Sequence, residues 1–136
     1  PPPEPGEPTM ELNRKLWYPD LHEAVNMVMQ SIRAMHQHCR EQGWDFYVLV
    51  LPSQVCVLQP AYEGAARQCP FDVVDFTEGK ECRIFMERLT TEGIAAACPR
   101  EAMATTPDPS IYHLPNDGHL SPLGNQLAAE TAATLL

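Results

Sequence analysis

The run Phe46-Tyr47-Val48-Leu49-Val50-Leu51, closed by Pro52, decides how the fold is read. It is unbroken, apolar, and rich in β-branched and aromatic residues. A strand wet on one face alternates, so an unbroken run suits a strand covered on both faces, as in a parallel sheet. Pro52 has no amide hydrogen to give a ladder, and it ends the run. Upstream, Asp20 with Glu23 three residues later has the form of a capping box. Leu21, Val25, Val28, Met29, Ile32, Met35 and Cys39 then recur on one stripe at helical spacing, and Gly43 stands where a left-handed cap would end the helix. Trp17 and Tyr18 suit a hydrophobic staple just before it.

Downstream, Pro60 to Arg67 suits a short helix, and Phe71 to Phe76 fits either a short strand or a loop. Glu81 to Thr91 reads as a helix with Ile84, Phe85, Arg88 and Leu89 on its face, and Gly93 ends it. Ile94 to Cys98 reads as a second strand stopped by Pro99, and Thr105 to Pro109 as a loop. Ser121-Pro122 has the residue types of an N-cap and a first helical position, and Leu123, Leu127, Ala128 and Leu135 recur along the helix that follows. The order of helix, strand, helix, strand, loop and helix predicts an α/β fold, part of a three-layer architecture around a parallel sheet.

The 136 residues fit one domain, and an apolar fraction of 44% is ordinary for a globular chain. Residues 1–18 read as a Pro/Glu-rich linker and helix lead-in, and residues 19–136 as the domain proper. Eighteen acids against nine bases give a formal charge of −9, with no basic stripe to displace counterions from phosphates. No nucleic-acid partner is therefore expected. No apolar run reaches the roughly 18 residues of a spanning helix, and no signal peptide is visible at Pro1 to Glu4. The chain does not begin with Met, so further sequence is expected upstream.

The five cysteines, at 39, 56, 69, 82 and 98, include no CxxC pair, which argues against a closed zinc site. They read as mostly free and buried, with one disulfide from Cys69 to Cys82 or Cys98 as the alternative.

Chemistry concentrates in Tyr112-His113-Leu114-Pro115-Asn116-Asp117-Gly118-His119-Leu120-Ser121-Pro122-Leu123-Gly124-Asn125. Asp117 and His119 flank one glycine just before a capped helix. A turn there can set the carboxylate against its own imidazole, fix the tautomer through Nδ1–H, and leave Nε2 as a general base. Gly124, without a side chain, lets the helix start pack tightly under that turn.

The block from Asp117 to Asn125 resembles the last conserved block of SGNH/GDSL hydrolases. In that family an Asp and a His before the final helix complete a Ser-His-Asp triad. The Asp-x-His spacing resembles that of bacterial members related to sugar O-acetyl esterases and acyltransferases. Leu51-Pro52-Ser53 and Gly93-Ile94 extend the resemblance over residues 20 to 136, although only residues 112 to 128 are specific.

The resemblance implies a flavodoxin-like three-layer sheet, incomplete in this chain. It implies that Asp117 and His119 are catalytic, in an ester hydrolase or O-acyltransferase acting on an O-acylated carbohydrate or small ester. No cofactor is implied, and the compartment would be extracytoplasmic, periplasmic or cell envelope. The family's Gly-Asp-Ser block and its oxyanion-hole Gly and Asn blocks have no match here. The nucleophile is therefore expected in a missing N-terminal part of the same domain.

Other site readings compete. Ser53, after the first strand, is a candidate replacement nucleophile, read first as a plain turn serine. Cys56 reads as buried rather than nucleophilic. His113, Asp117 and His119 together make a two-His, one-carboxylate set, the basis of a metal-site alternative. A non-catalytic carbohydrate-binding or interaction module is the other alternative. His36 and Cys39 read as a helix edge, and Glu78, Glu81, Glu87 and Glu92 as a solvated face.

Overall fold

Helix α1 runs over Pro19–Gln42 and buries a narrow stripe. A computed structural model describes residues 19–58, 63, 64, 79–114 and 118–136, with only the backbone of residues 19–21. Val25 and Met29 are buried, and Ile32, His36 and Cys39 are half-buried. Val28 and Met35 were expected on the same stripe but are 46% and 50% exposed. Each lies one residue from an inward position, and that step turns a helical side chain by about 100°.

Two helices end in the same way, and each end starts a strand. Trp44 N–H donates to the Cys39 carbonyl at 2.8 Å and Gly43 N–H to that of Arg40 at 3.1 Å. Ile94 N–H donates to Leu89 at 2.9 Å and Gly93 N–H to Thr90 at 3.0 Å, closing helix α3, Lys80–Thr91. These are Schellman caps, with the glycines at φ 71° and 68°. Four residues, Trp44 to Tyr47, then lead into β1, Val48–Leu49, and two, Ile94 and Ala95, into β2, Ala96–Ala97.

The strands pair in parallel, Val48 opposite Ala96 and Leu49 opposite Ala97. Flanking bonds run from Val48 N–H to Ala95 at 3.0 Å and from Val50 N–H to Ala97 at 2.9 Å. Met29, Leu89 and Ile94 form the buried centre, with Ile32, Phe46, Val48, Val50, Phe85 and Ala96 packed against it. The core thus lies between α1, α3 and the strand pair.

The expected three-layer, flavodoxin-like parallel sheet is not what the chain forms. Among the described residues the sheet has two short strands, and most of the rest is helical. Tyr47 and Leu51, read as covered, are 38% and 53% exposed. An apolar run records what a strand could bury, not how many partners it has. The partner here is Ala96-Ala97, whose methyl groups cover little.

Three short elements form where no element was expected: α2 over Gln54–Val57, α4 over Arg100–Ala104, and a 3₁₀ turn over Pro109–Tyr112. Residues 63 and 64 are helical, within the span expected as Pro60 to Arg67. The expectations for Trp17, Tyr18, Phe71 to Phe76, Cys69 and Glu78, and for the Asp20 side chain, lie outside the described residues.

The last helix, α5, spans Pro122–Ala133, with the Ser121 hydroxyl accepting Gly124 N–H at 3.1 Å. It packs on the 3₁₀ turn through buried Gly124 and Ala128, while Leu123 points outward at 43% exposure.

Candidate functional site

The segment before α5 is a loop with a closed neck. His113 and Leu120 form an antiparallel bridge, with Leu114 N–H on the His119 carbonyl at 2.8 Å and Ser121 N–H on that of Tyr112 at 2.9 Å. Ser121 Oγ donates to the Ile111 carbonyl at 2.6 Å, and Asn125 Nδ2 to those of Leu120 and Ser121 at 3.2 and 3.0 Å. Gly124 lies directly under the neck, and a Cβ there would collide with the Tyr112 carbonyl. Gly118 takes φ 74°, a left-handed conformation that side chains disfavour.

His119 emerges from this loop exposed to solvent. Asp117, its expected partner, lies outside the described residues. His113 is the buried member, 3% exposed, with Nε2 3.4 Å from the Pro52 carbonyl and Nδ1 unpartnered. Burial lowers its pKa, opposed by the Pro52 carbonyl, so the neutral ring is favoured. This contact brings the neck to the carboxyl end of β1.

Ser53 lies at that end too. It holds the N-cap position of α2, but its hydroxyl does not cap; it donates to Glu81 Oε1 at 2.7 Å. Cys56 is buried, and its thiol donates to the same oxygen at 2.7 Å. Glu81 was read as part of a solvated face, which is corrected here: it is half-buried and gathers both groups. Glu87 is exposed as expected, and Glu92 accepts from Arg33 at 2.7 Å. His36 and Cys39, read as a helix edge, are half-buried, and the His36 ring stacks on Phe46 at 5.7 Å.

Among the described residues the metal-ligating side chains brought together are those of Cys56, Glu81 and Cys82, their donor atoms within 4.8 Å of one another. Cys82 is also hydrogen-bonded to Cys98, just past β2. Its bonds with Cys56 and Cys98, together with burial, push the Cys82 thiol far above its ordinary pKa. The Cys98 pKa falls to about 7, first through the Cys82 thiol and then through the Arg100 backbone N–H and charge, against its own burial. Arg100 Nε donates to the Cys56 carbonyl at 2.8 Å, and its side chain fills the space a Cβ on Gly79 would need. A cavity of about 330 Å³ opens beside Cys82 and Cys98, with Arg83, Met86 and Arg100 on its walls.

Cys39, Cys56, Cys82 and Cys98 carry thiols rather than disulfides. Reading the sequence missed the convergence of Cys56, Cys82 and Cys98, because no two of them share a local spacing motif. No described helix is long and apolar enough to cross a membrane. Comparison with protein-family models, curated proteins and solved structures finds no match to this chain.

Proposed function

We propose that the loop from His113 to Leu120 carries the general base of a serine ester hydrolase or O-acyltransferase of the SGNH/GDSL kind. The proposal concerns the chemistry of the loop, not a three-layer sheet. His119 takes the proton of an attacking hydroxyl, then returns it to the leaving oxygen. Asp117 orients the ring. The serine is supplied by a segment outside the described residues, and the substrate is an O-acylated carbohydrate or small ester.

One observation carries the reading: the neck of the His119 loop is tied to the Pro52 carbonyl through buried His113. That contact fixes the neck of the loop beside the segment that leaves β1, so the base is carried by a loop anchored on the core strand pair. The His113–Leu120 bridge and the close approach of Gly124 to the Tyr112 carbonyl fix the two ends of the loop.

Hydrolysis of short-chain aryl esters by the native protein that carries this chain, with and without His119→Ala, tests it. The substitution should lower kcat by about 10⁴-fold or more. Full activity in the variant removes the proposal. The chain by itself is expected to be inactive, because it holds no Gly-Asp-Ser block. Turnover abolished by Ser53→Ala would overturn that expectation. The second reading, a non-catalytic carbohydrate-binding or interaction module, predicts no ester turnover in any form of the protein.

The metal alternative at His113, Asp117 and His119 has less support. His113 is buried against Pro52, whereas His119 faces solvent.

A further inference from the structure

We propose a structural zinc site in which Cys56, Cys82 and Cys98 supply thiolates and Glu81 supplies one carboxylate oxygen. The donors come from three separate places: α2 just past β1, the first turn of α3, and the residue after β2. Donor atoms of Cys56, Glu81 and Cys82 lie within 4.8 Å of one another, and Cys98 joins through its bond to Cys82. Around zinc, with bonds of about 2.0–2.3 Å, tetrahedral donors stand roughly 3.5–3.8 Å apart. Zinc binding would draw the three clustered donors in to that spacing, with Cys98 closing on them from the cavity wall it shares with Cys82.

The chemistry of the set decides between metals. Thiolates select zinc or copper(I) over magnesium and calcium, and a carboxylate as fourth ligand favours zinc. Four protein donors leave no open position, which is the form of a structural site. Binding displaces three thiol protons to solvent and changes no oxidation state. A disulfide would use only two of the thiols and would need an oxidant. Arg100, held by the Cys56 carbonyl, offsets part of the negative charge of the donors. The ion would clamp the ends of both strands to the start of α3.

The full chain, reduced and stripped with chelator, is titrated with cobalt(II) and then zinc. The expected result is a thiolate-to-cobalt charge-transfer band with the intense visible absorption of a tetrahedral ion, saturating at one equivalent and erased by zinc. Cys39→Ser should leave this unchanged. Glu81→Gln should weaken binding by more than the roughly 10- to 100-fold that loss of an outer-shell partner costs. Cys82→Ser should abolish the band, with far-UV circular dichroism confirming that the variant is folded.

A second measurement needs no variant. Zinc should slow alkylation of Cys56, Cys82 and Cys98 in the wild-type chain while leaving Cys39 unchanged, as read by peptide mass mapping. A weak octahedral spectrum, loss of the band in Cys39→Ser, or unchanged alkylation at Cys56, Cys82 and Cys98 would each overturn the site. So would a Cys82–Cys98 disulfide whose reduced form takes up no zinc.

Discussion

Gly124 is where α5 meets the Tyr112 carbonyl, and hydrogen is the only side chain that fits. The obstacle is backbone, which the Ser121 amide already holds at 2.9 Å, so it cannot move aside cheaply. Gly124→Ala should therefore cost about 1–3 kcal/mol in urea unfolding, the range for overpacked sites. A cost near zero would show that the neck yields.

His113 makes a different prediction. Burial lowers its pKa, so the native state refuses a proton that the unfolded chain accepts near its ordinary value of about 6.5. The stability it protects is complete above that value. It is lost as pH falls below about 6.5 toward the lowered native pKa. The urea midpoint should drop between pH 7.5 and 5.5, and His113→Gln should flatten that drop. Equal slopes in the two proteins would assign the pH dependence to other groups.

The two Schellman caps turn a helix sharply into a strand, once at Gly43 and once at Gly93. A Cβ at either glycine would meet no atom within 4 Å, so substitution there meets only the cost of the left-handed backbone. Gly93→Ala should destabilise by about 1–2 kcal/mol, and Gly43→Ala by a similar amount. Paired urea melts check this; a much larger loss at either position would reveal packing the cap conceals. The caps were legible because each depends on a few adjacent residues: an apolar-striped helix, a glycine, and a following apolar residue. The start of α5 was legible for the same reason, with Ser121 bonded to Gly124 N–H as its residue type implies. The helix faces were less so, since Val28, Met35 and Leu123 point outward although they share the apolar character of their neighbours. Burial depends on where the rest of the chain lies, which periodicity alone does not state.

Met29, Leu89 and Ile94 form one buried apolar cluster, and it joins α1, α3 and the two strands. Leu89 serves two purposes, since its carbonyl accepts the Ile94 amide that closes the α3 cap and its side chain is fully buried in this cluster. Leu89→Ala should cost about 2–5 kcal/mol, with the cavity adding to the lost burial. Chemical denaturation followed by circular dichroism measures this, and a loss below 1 kcal/mol would mean the core collapses around the gap. The same core sets the candidate sites. Parallel pairing brings Pro52 and Cys98 to one end of the strand pair, so the neck of the His119 loop and the thiol cluster share that end.

The order of residues alone determined the three long helices, the glycine caps that end α1 and α3, the Ser121 cap of α5, and the Asp117–His119 motif before that Ser-Pro helix start. These are short-range matters of backbone geometry and hydrogen bonding, settled within a few positions along the chain. Only the tertiary structure decided that the described sheet has two strands, that His113 is buried on Pro52, and that Glu81 meets Ser53 and Cys56. Contacts between residues far apart in sequence depend on how whole elements pack, and nothing in the local pattern of either partner encodes them.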